Sequence, residues 1–194
     1  MKQSNTYSDF IKELNAGHIC AFETDTVVGL GCKILDEGKT NENINSIYSI
    51  KSRSHTKALP WLISSKAMLE EWAVNIPDYA YELIDNEWPG ATTLIFEVND
   101  RLPEGLGVNT KNGLHTVAFR IPNCEELINA IDYIGCPVAT TSANESGKEP
   151  PKILSKVKKG ILNQVDFVYE KRQEPSGTPS KIISCINEEP KVIR

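Results

Sequence analysis

Three cations fall within one short stretch of an acidic chain: Lys51, Arg53 and Lys57 lie within seven residues. Two unit charges ~4 Å apart interact by about 4 kcal/mol at an effective dielectric constant near 20. Converging cations can therefore hold a triphosphate without a glycine-rich loop. The same stretch also fits a solvated helix end, where cations interact favourably with the helix dipole. Two interpretations of these cations therefore remain open, a phosphate-binding cluster and an ordinary helix terminus.

A second candidate is the arginine of the segment HTVAFRIP, residues 115–122. This segment is rich in β-branched and aromatic residues, which predicts a strand. Side chains alternate between the two faces of a strand, so Thr116, Ala118 and Arg120 share one face. A buried arginine requires an anionic partner. That partner is either a carboxylate of the chain itself or the carboxylate of a ligand.

Small hydroxyl side chains are concentrated in two further segments. Thr24, Asp25 and Thr26 precede two glycines, and the sequence TTSAN at 140–144 directly follows a short apolar run. Each segment is typical of a turn or cap that satisfies its own backbone. Each also offers donors and acceptors to a polar ligand, with glycine permitting close backbone approach. Both interpretations remain open.

Ser180 and Arg194 form a fifth, weaker candidate near the end of the chain. A terminal arginine is expected to fray. None of the five features is decisive alone. Together they supply cations and hydroxyls without a conventional nucleophile or acid-base pair, which favours catalysis by positioning and charge stabilisation.

Several common kinds of site have no matching motif. The sequence contains no HExxH, GxSxG or GxxxxGK[ST] motif and no complete GxGxxG motif, and its three histidines are widely separated. We therefore expect no protein-held metal. The five cysteines include no CxxC pair, which favours free buried thiols in a reducing cytoplasm.

Length and charge restrict the class of protein that must position these residues. A chain of 194 residues corresponds to about 1.3 average domains, so we expect one domain spanning 1–194. The net charge of -5 argues against a broad nucleic-acid surface. The apolar stretches are shorter than a membrane span, and residues 1–10 lack an apolar signal-peptide core. These features favour a cytoplasmic protein.

Periodicity predicts helices that alternate with strands, and therefore a layered α/β sheet. A helix should begin near Ser8 and stop at Gly17, and a turn region is expected over 24–32. Pro77 should divide the helical pattern of 66–86 into two pieces. Further helices are predicted over 41–52 and 123–134, with strands over 18–23, 58–64, 91–98, 115–122, 136–141, 167–170, 181–186 and 191–194. Ligands of such sheets commonly bind at strand ends.

In order and spacing, several segments resemble the YrdC-type threonylcarbamoyladenylate synthase family. They are FETDTVVGLGC, KSRSHTK, WPGATTLIF, TVAFRIP, VATTSANESG and the terminal SKII and VIR. The resemblance implies an open, twisted mixed sheet with flanking helices around a large concave basic cavity. It also implies condensation of L-threonine, bicarbonate and ATP into threonylcarbamoyl-AMP and pyrophosphate, with Mg²⁺ neutralising phosphate charge. Partner proteins would then deliver the product to tRNA.

The resemblance also implies roles for individual residues. Lys51 and Arg53 would be the catalytic cations, and Arg120 would bind the carboxylate of threonine. The remaining residues expected to contact ATP are Lys57, Thr116, Ser142, Asn144 and Arg194, together with Arg53. The remaining residues expected to contact threonine are Thr26, Thr140 and Ser180.

Three positions depart from the family pattern. Glu23 and Val28 replace its usual proline and tyrosine, and Lys181 follows Ser180. Glu23 is expected either near the cavity mouth, where it would weaken anion binding, or in solvent. Other hypotheses are a paralogue with a different acyl acceptor, an inactive member, and a double-stranded RNA or tRNA-binding module. A weak tRNA contact is also compatible with the synthase hypothesis.

Overall fold

The computed structural model describes residues 2–4, 6–34, 39–99, 108–111, 113–170 and 175–194. Six helices and twelve strands form within these ranges. The helices are α1 Tyr7–Asn15, α2 Lys39–Ile50, α3 Lys66–Trp72, α4 Asp78–Glu87, α5 Glu125–Ile134 and α6 Lys159–Leu162. The strands are β1 Lys2–Ser4, β2 Cys20–Glu23, β3 Val28–Lys33, β4 Trp61–Leu62, β5 Ala73–Val74, β6 Thr92–Val98, β7 Asn109–Lys111, β8 Leu114–Arg120, β9 Val138–Ser142, β10 Phe167–Tyr169, β11 Lys181–Ser184 and β12 Lys191–Val192.

The strands form one mixed sheet. Its order is β1-β10-β2-β3-β9-β4-β8-β6-β11-β12, with β5 paired to β6 and β7 paired to β8. The β10–β2, β4–β8 and β6–β11 pairs are parallel, whereas β2–β3, β3–β9 and β6–β8 are antiparallel. The predicted α/β class and mixed sheet are confirmed.

Local capping and breaking signals set several helix boundaries. Two helices form in the 66–86 region, as predicted, but Pro77 sets only the start of α4, because α3 ends at Trp72 and β5 lies between the two helices. Ser65 caps α3 by accepting a hydrogen bond from the Met68 amide at 3.1 Å. Gly135 ends α5 in the left-handed conformation at φ 66°, which glycine adopts without a steric penalty.

The turn expected over 24–32 is wrong for its second half. Only 24–27 turns, and β3 then runs between β2 and β9 in the sheet. The two glycines of β3 serve close packing, not a turn: a Cβ on Gly31 would lie 2.9 Å from the Ala139 carbonyl oxygen and 3.2 Å from the Phe22 ring. Glycine inside a strand commonly marks such an approach.

Alternating side chains divide the two faces of the central strands. Leu94, Phe96, Val117 and Phe119 are buried on the face of β6 and β8 that belongs to the core. Edge-on packing of the Trp61 and Phe119 rings, 5.6 Å apart, extends this core to β4. The opposite face of β6 and β8 carries Thr93, Thr116 and Arg120 and lines a cavity.

No helix within the described ranges is long and apolar enough to span a bilayer. All five cysteines are free thiols, and four of them are buried. Burial raises the pKa of the Cys32 thiol to about 12, so this residue behaves as a small apolar side chain.

Candidate functional site

A cavity of about 490 Å³ occupies the concave face of the sheet. Its floor comes from alternate residues of β6 and β8, such as Thr93, Ile95, Thr116, Ala118 and Arg120. The loop between β2 and β3, the segment after β9 and the C-terminal residues form its walls. The predicted shared face of 116, 118 and 120 is confirmed, and the site covers a sheet face as well as strand ends.

The cavity is lined by cations on a chain of negative net charge. Arg53, Arg120, Lys148 and Arg194 contribute to the lining, and no described lining residue is acidic. Nine of the eleven residues expected at the site lie here. They are Thr26, Arg53, Thr116, Arg120, Thr140, Ser142, Asn144, Ser180 and Arg194. The other two, Lys51 and Lys57, are not among the lining residues.

Arg53 presents a cation from the segment that follows α2. Its Nε donates to the Lys57 carbonyl at 3.1 Å, and its Nη2 donates to the Ala58 carbonyl at 2.9 Å. The guanidinium has five N–H groups, so these bonds fix its plane and leave Nη1 for an anion. The Lys57 side chain is exposed, and this residue supports Arg53 through its carbonyl. The structure therefore differs from the expected direct cavity contact of Lys57.

Lys51 lies behind the cavity wall and is not among the described lining residues. Its side chain is almost fully buried, at 1% exposure, and its ammonium donates to the Ser142 and Asn144 carbonyls. Burial, followed by the neighbouring charge of Arg53, lowers the pKa of Lys51 to about 8. These contacts place Lys51 as a support for the loop that carries Ser142 and Asn144. A cation pattern in sequence cannot distinguish this arrangement from a phosphate contact.

Arg120 lies at the end of β8 and is already paired. Its Nη2 lies 2.6 Å from both carboxylate oxygens of Asp25, its Nη1 donates to Thr26 Oγ1 at 2.9 Å, and its Nε donates to the Gly90 carbonyl at 2.8 Å. The internal carboxylate is therefore one partner of this arginine. The second N–H of Nη1 is left for a ligand.

Further hydroxyl groups line the cavity. Ser180 Oγ and Thr93 Oγ1 are hydrogen-bonded at 2.7 Å, which links the segment before β11 to β6. Thr140 Oγ1 donates to the Leu30 carbonyl at 3.1 Å. Thr93 was missed by the sequence reasoning. Thr92 and Thr93 are neighbours in a predicted strand, so their side chains point to opposite faces of the sheet. The sequence does not show which of the two faces lines the cavity.

The remaining predicted residues are held by backbone contacts. Asn144 Nδ2 donates to the Lys148 carbonyl at 2.6 Å, and Thr116 Oγ1 donates to the Asn109 carbonyl at 3.3 Å. Arg194 does not fray as expected: its Nη2 donates to the Ser180 carbonyl at 2.8 Å, and its own carbonyl accepts from the Ile182 amide at 2.9 Å. Lys148 lacked any sequence signal.

Glu23 lies neither at the cavity mouth nor in solvent, so both expectations for it are wrong. It is 6% exposed and does not line the cavity. One of its carboxylate oxygens accepts a hydrogen bond from the Leu154 amide at 3.0 Å. This bond ties β2 to the distant 3₁₀ turn at Leu154–Lys156. Its replacement of the usual proline therefore affects packing behind the site.

The described residues do not fit a protein-held magnesium ion. No group of three His, Cys, Asp or Glu side chains converges within the described ranges, and none of the described lining residues is a carboxylate. Mg²⁺ prefers carboxylate and phosphate oxygens and keeps several waters. The described lining therefore offers no carboxylate ligand to such an ion.

The Sua5/YciO/YrdC family model, described as "Telomere recombination", matches residues 12–194. The chain belongs to this family. A putative threonylcarbamoyl-AMP synthase of Methanocaldococcus jannaschii is 31% identical over 94% of this chain and 80% of its own length. The threonylcarbamoyl-AMP synthase of Bacillus subtilis is 30% identical over 93% of this chain. The chain covers only 50% of that relative, about half its length.

Solved structures of the Sua5/YciO/YrdC family share the fold. The structure of Pyrococcus abyssi Sua5 complexed with L-threonine aligns with a TM-score of 0.84 at 28% identity, covering 99% of this chain and 55% of the other. Escherichia coli YciO aligns with a TM-score of 0.82 at 20% identity, covering 99% and 92%. The second likeness shows the fold alone.

Proposed function

We propose that this member of the family condenses L-threonine, bicarbonate and ATP into threonylcarbamoyl-AMP and pyrophosphate. The observation that carries the proposal is one cavity lined by Arg53, Lys148 and Arg194 as well as by Arg120 with its hydroxyl neighbours. Three cations suit a triphosphate, and an oriented guanidinium suits an amino-acid carboxylate. Relatives named threonylcarbamoyl-AMP synthase support the reaction, and the relative solved with L-threonine supports the amino acid.

The reaction requires two bond-forming steps. The uncharged amine of threonine attacks the carbon of bicarbonate, a C–N bond forms, and water leaves, which gives a carbamate. A carbamate oxygen then attacks the α-phosphorus of ATP, and the bond to the β,γ-diphosphate breaks. The products are the mixed anhydride threonylcarbamoyl-AMP and pyrophosphate, so all atoms balance.

The chain contributes orientation and charge to these steps. Arg53 and Arg194, both anchored on carbonyls, would face the phosphates and stabilise the negative charge that develops on the leaving pyrophosphate. Lys148, Asn144 and the hydroxyls of Ser142 and Thr116 would border the nucleotide. Holding both substrates in one cavity replaces a collision of separate molecules by a positioned reaction.

Arg120 would orient threonine through its carboxylate, with Thr26, Thr140 and Ser180 nearby. Lys51 would act indirectly, because its ammonium holds the loop of Ser142 and Asn144. The product is an activated acyl adenylate, so a second reaction must transfer its acyl group. We propose tRNA adenosine as the acceptor, tRNA-modification proteins as partners, and the cytoplasm as the location.

Pyrophosphate release tests this function. Purified protein is incubated with ATP, bicarbonate and L-threonine, each omitted in turn, and the nucleotide product is identified by mass spectrometry. Release that needs all three substrates and is lost in Arg53→Ala supports the proposal. Release without amino-acid preference would indicate a paralogue with another acceptor. The absence of release would indicate an RNA-binding module or an inactive member, and RNA affinity that falls steeply with salt would identify the former.

A further inference from the structure

We infer that Asp25 is a positioning residue that fixes and neutralises Arg120, so that the threonine subsite acts as an oriented donor and not as a free cation. The inference rests on the proposed function and concerns a residue that contacts another side chain, not the substrate. Asp25 and Arg120 are separated by 95 positions in sequence, yet the Asp25 carboxylate lies within 2.6 Å of Arg120 Nη2.

Burial makes this contact strong and directional. The Asp25 side chain is 11% exposed and the Arg120 side chain is 7% exposed. Arg120 donates from Nη2 to Asp25, from one N–H of Nη1 to Thr26 Oγ1 and from Nε to the Gly90 carbonyl. The guanidinium plane therefore cannot rotate without breaking these contacts. One N–H of Nη1 keeps a fixed direction.

The loop that carries Asp25 is held on both sides. Thr24 Oγ1 accepts from the amides of Thr26 and Val27 at 3.1 and 3.2 Å, which closes the turn. The segment at 176–177 also holds the loop: the Ser176 amide donates to the Asp25 carbonyl at 2.9 Å, and the Gly177 amide donates to the Thr26 carbonyl at 2.8 Å. The carboxylate is therefore presented to Arg120 by a rigid backbone.

Asp25 is not placed as a general base. Both of its oxygens lie against Arg120, and it is absent from the described cavity lining. Its consequence for the site is electrostatic. Pairing with Asp25 offsets most of the buried charge of Arg120. What remains for a ligand is the second N–H of Nη1, which selects a carboxylate by its fixed direction and not by net charge.

Removal of the carboxylate therefore should misplace threonine without loss of the nucleotide site. In Asp25→Ala, we expect kcat/KM for L-threonine to fall about 100-fold, since a displacement of ~1 Å at a reacting centre can cost this much. The KM for ATP should change less than about 2-fold, because Asp25 does not line the cavity. Asp85→Ala is the matched control, since it removes the carboxylate of an exposed ion pair with Lys66.

Formate provides the decisive readout. It carries the carboxylate that the Ala variant lacks and fits the space vacated beside Arg120. Added sodium formate should raise kcat/KM for threonine about 10-fold in Asp25→Ala, the size expected for one restored charge-assisted contact, with no gain in wild type or Asp85→Ala. Sodium chloride at equal ionic strength controls for screening.

A second, milder variant tests the role of Asp25 even where Asp25→Ala does not fold. Asp25→Asn keeps the side-chain shape and one oxygen acceptor, so kcat/KM for threonine should fall about 10-fold with the melting temperature nearly retained. Wild-type kinetics in Asp25→Asn, or a folded Asp25→Ala protein that formate does not improve, would overturn the role of Asp25. Wild-type protein without threonine-dependent pyrophosphate release would instead overturn the proposed function.

Discussion

The ammonium nitrogen of Lys51 lies 2.6 Å from the backbone carbonyl oxygen of Asn144, across 93 positions of sequence. The contact ties the residue that follows α2 to the segment that follows β9. The Ser146 amide reinforces it by donating to the Lys51 carbonyl at 2.9 Å. A buried cation thus holds the backbone of two residues that line the cavity, Ser142 and Asn144.

Lys51→Met should destabilise the fold and loosen this loop. The change leaves buried carbonyl oxygens without their donor, which we expect to lower the free energy of unfolding by about 2 to 4 kcal/mol. Urea unfolding of wild type and variant measures the difference. Lys57→Met is the matched control, because its exposed side chain should alter stability by no more than about 0.5 kcal/mol. Equal effects of the two substitutions would contradict the structural role of Lys51.

The depressed pKa of Lys51 also predicts a pH dependence. Because the pKa of Lys51 is about 8 in the folded protein, below the ordinary value of 10.5, the unfolded chain binds more protons between these limits. Stability contributed by this residue should therefore rise as pH increases from 8 to 10.5. The stability difference between wild type and Lys51→Met, measured by unfolding at several pH values, should grow over that range. A difference that is flat or shrinks would contradict the burial of the ammonium.

Arg53→Ala tests the nucleotide region of the cavity. Loss of the guanidinium should raise the KM for ATP about 10- to 100-fold, the cost of charge-assisted contacts to phosphate. The KM for threonine should change far less. Initial-rate kinetics with each substrate varied measures both constants, and Lys66→Ala supplies a distant cation as control. A larger effect on threonine than on ATP would reverse the assignment of the two regions.

Thr93→Val tests a residue that the sequence reasoning missed. The substitution keeps the shape of the side chain but removes the hydroxyl bonded to Ser180. We expect kcat/KM for L-threonine to fall about 2- to 10-fold, the net value of one neutral hydrogen bond. Thr92→Val is the neighbouring control, since Thr92 faces the other side of β6 and bonds Glu87 instead. Loss of activity in Thr92→Val but not in Thr93→Val would contradict the orientation of β6.

Local signals predicted much of the fold. Proline at 77 and glycine at 135 set helix boundaries through backbone geometry alone, so the sequence pattern was sufficient there. The β3 strand was expected to be a turn because glycines at 29 and 31 also suit turns. These positions need glycine because Phe22 and the Ala139 carbonyl pack closely against them, and this packing is tertiary.

The candidate site was predictable to the extent that residue type and strand alternation determine it. Alternation placed Thr116 and Arg120 on one face, and the structure confirms this placement. The partner of Arg120 could not be chosen from sequence, because Asp25 is 95 positions away and no local pattern connects them. Nor does a run of cations indicate that the Lys51 ammonium faces carbonyls and the Arg53 guanidinium faces the cavity.

A structure of the protein soaked with L-threonine and a non-hydrolysable ATP analogue would show whether one cavity holds both substrates. We expect both molecules in one cavity, with the threonine carboxylate on Arg120 Nη1 and the phosphates beside Arg53. Threonine or the analogue bound outside this cavity, or phosphates seated on Arg120, would contradict this expectation.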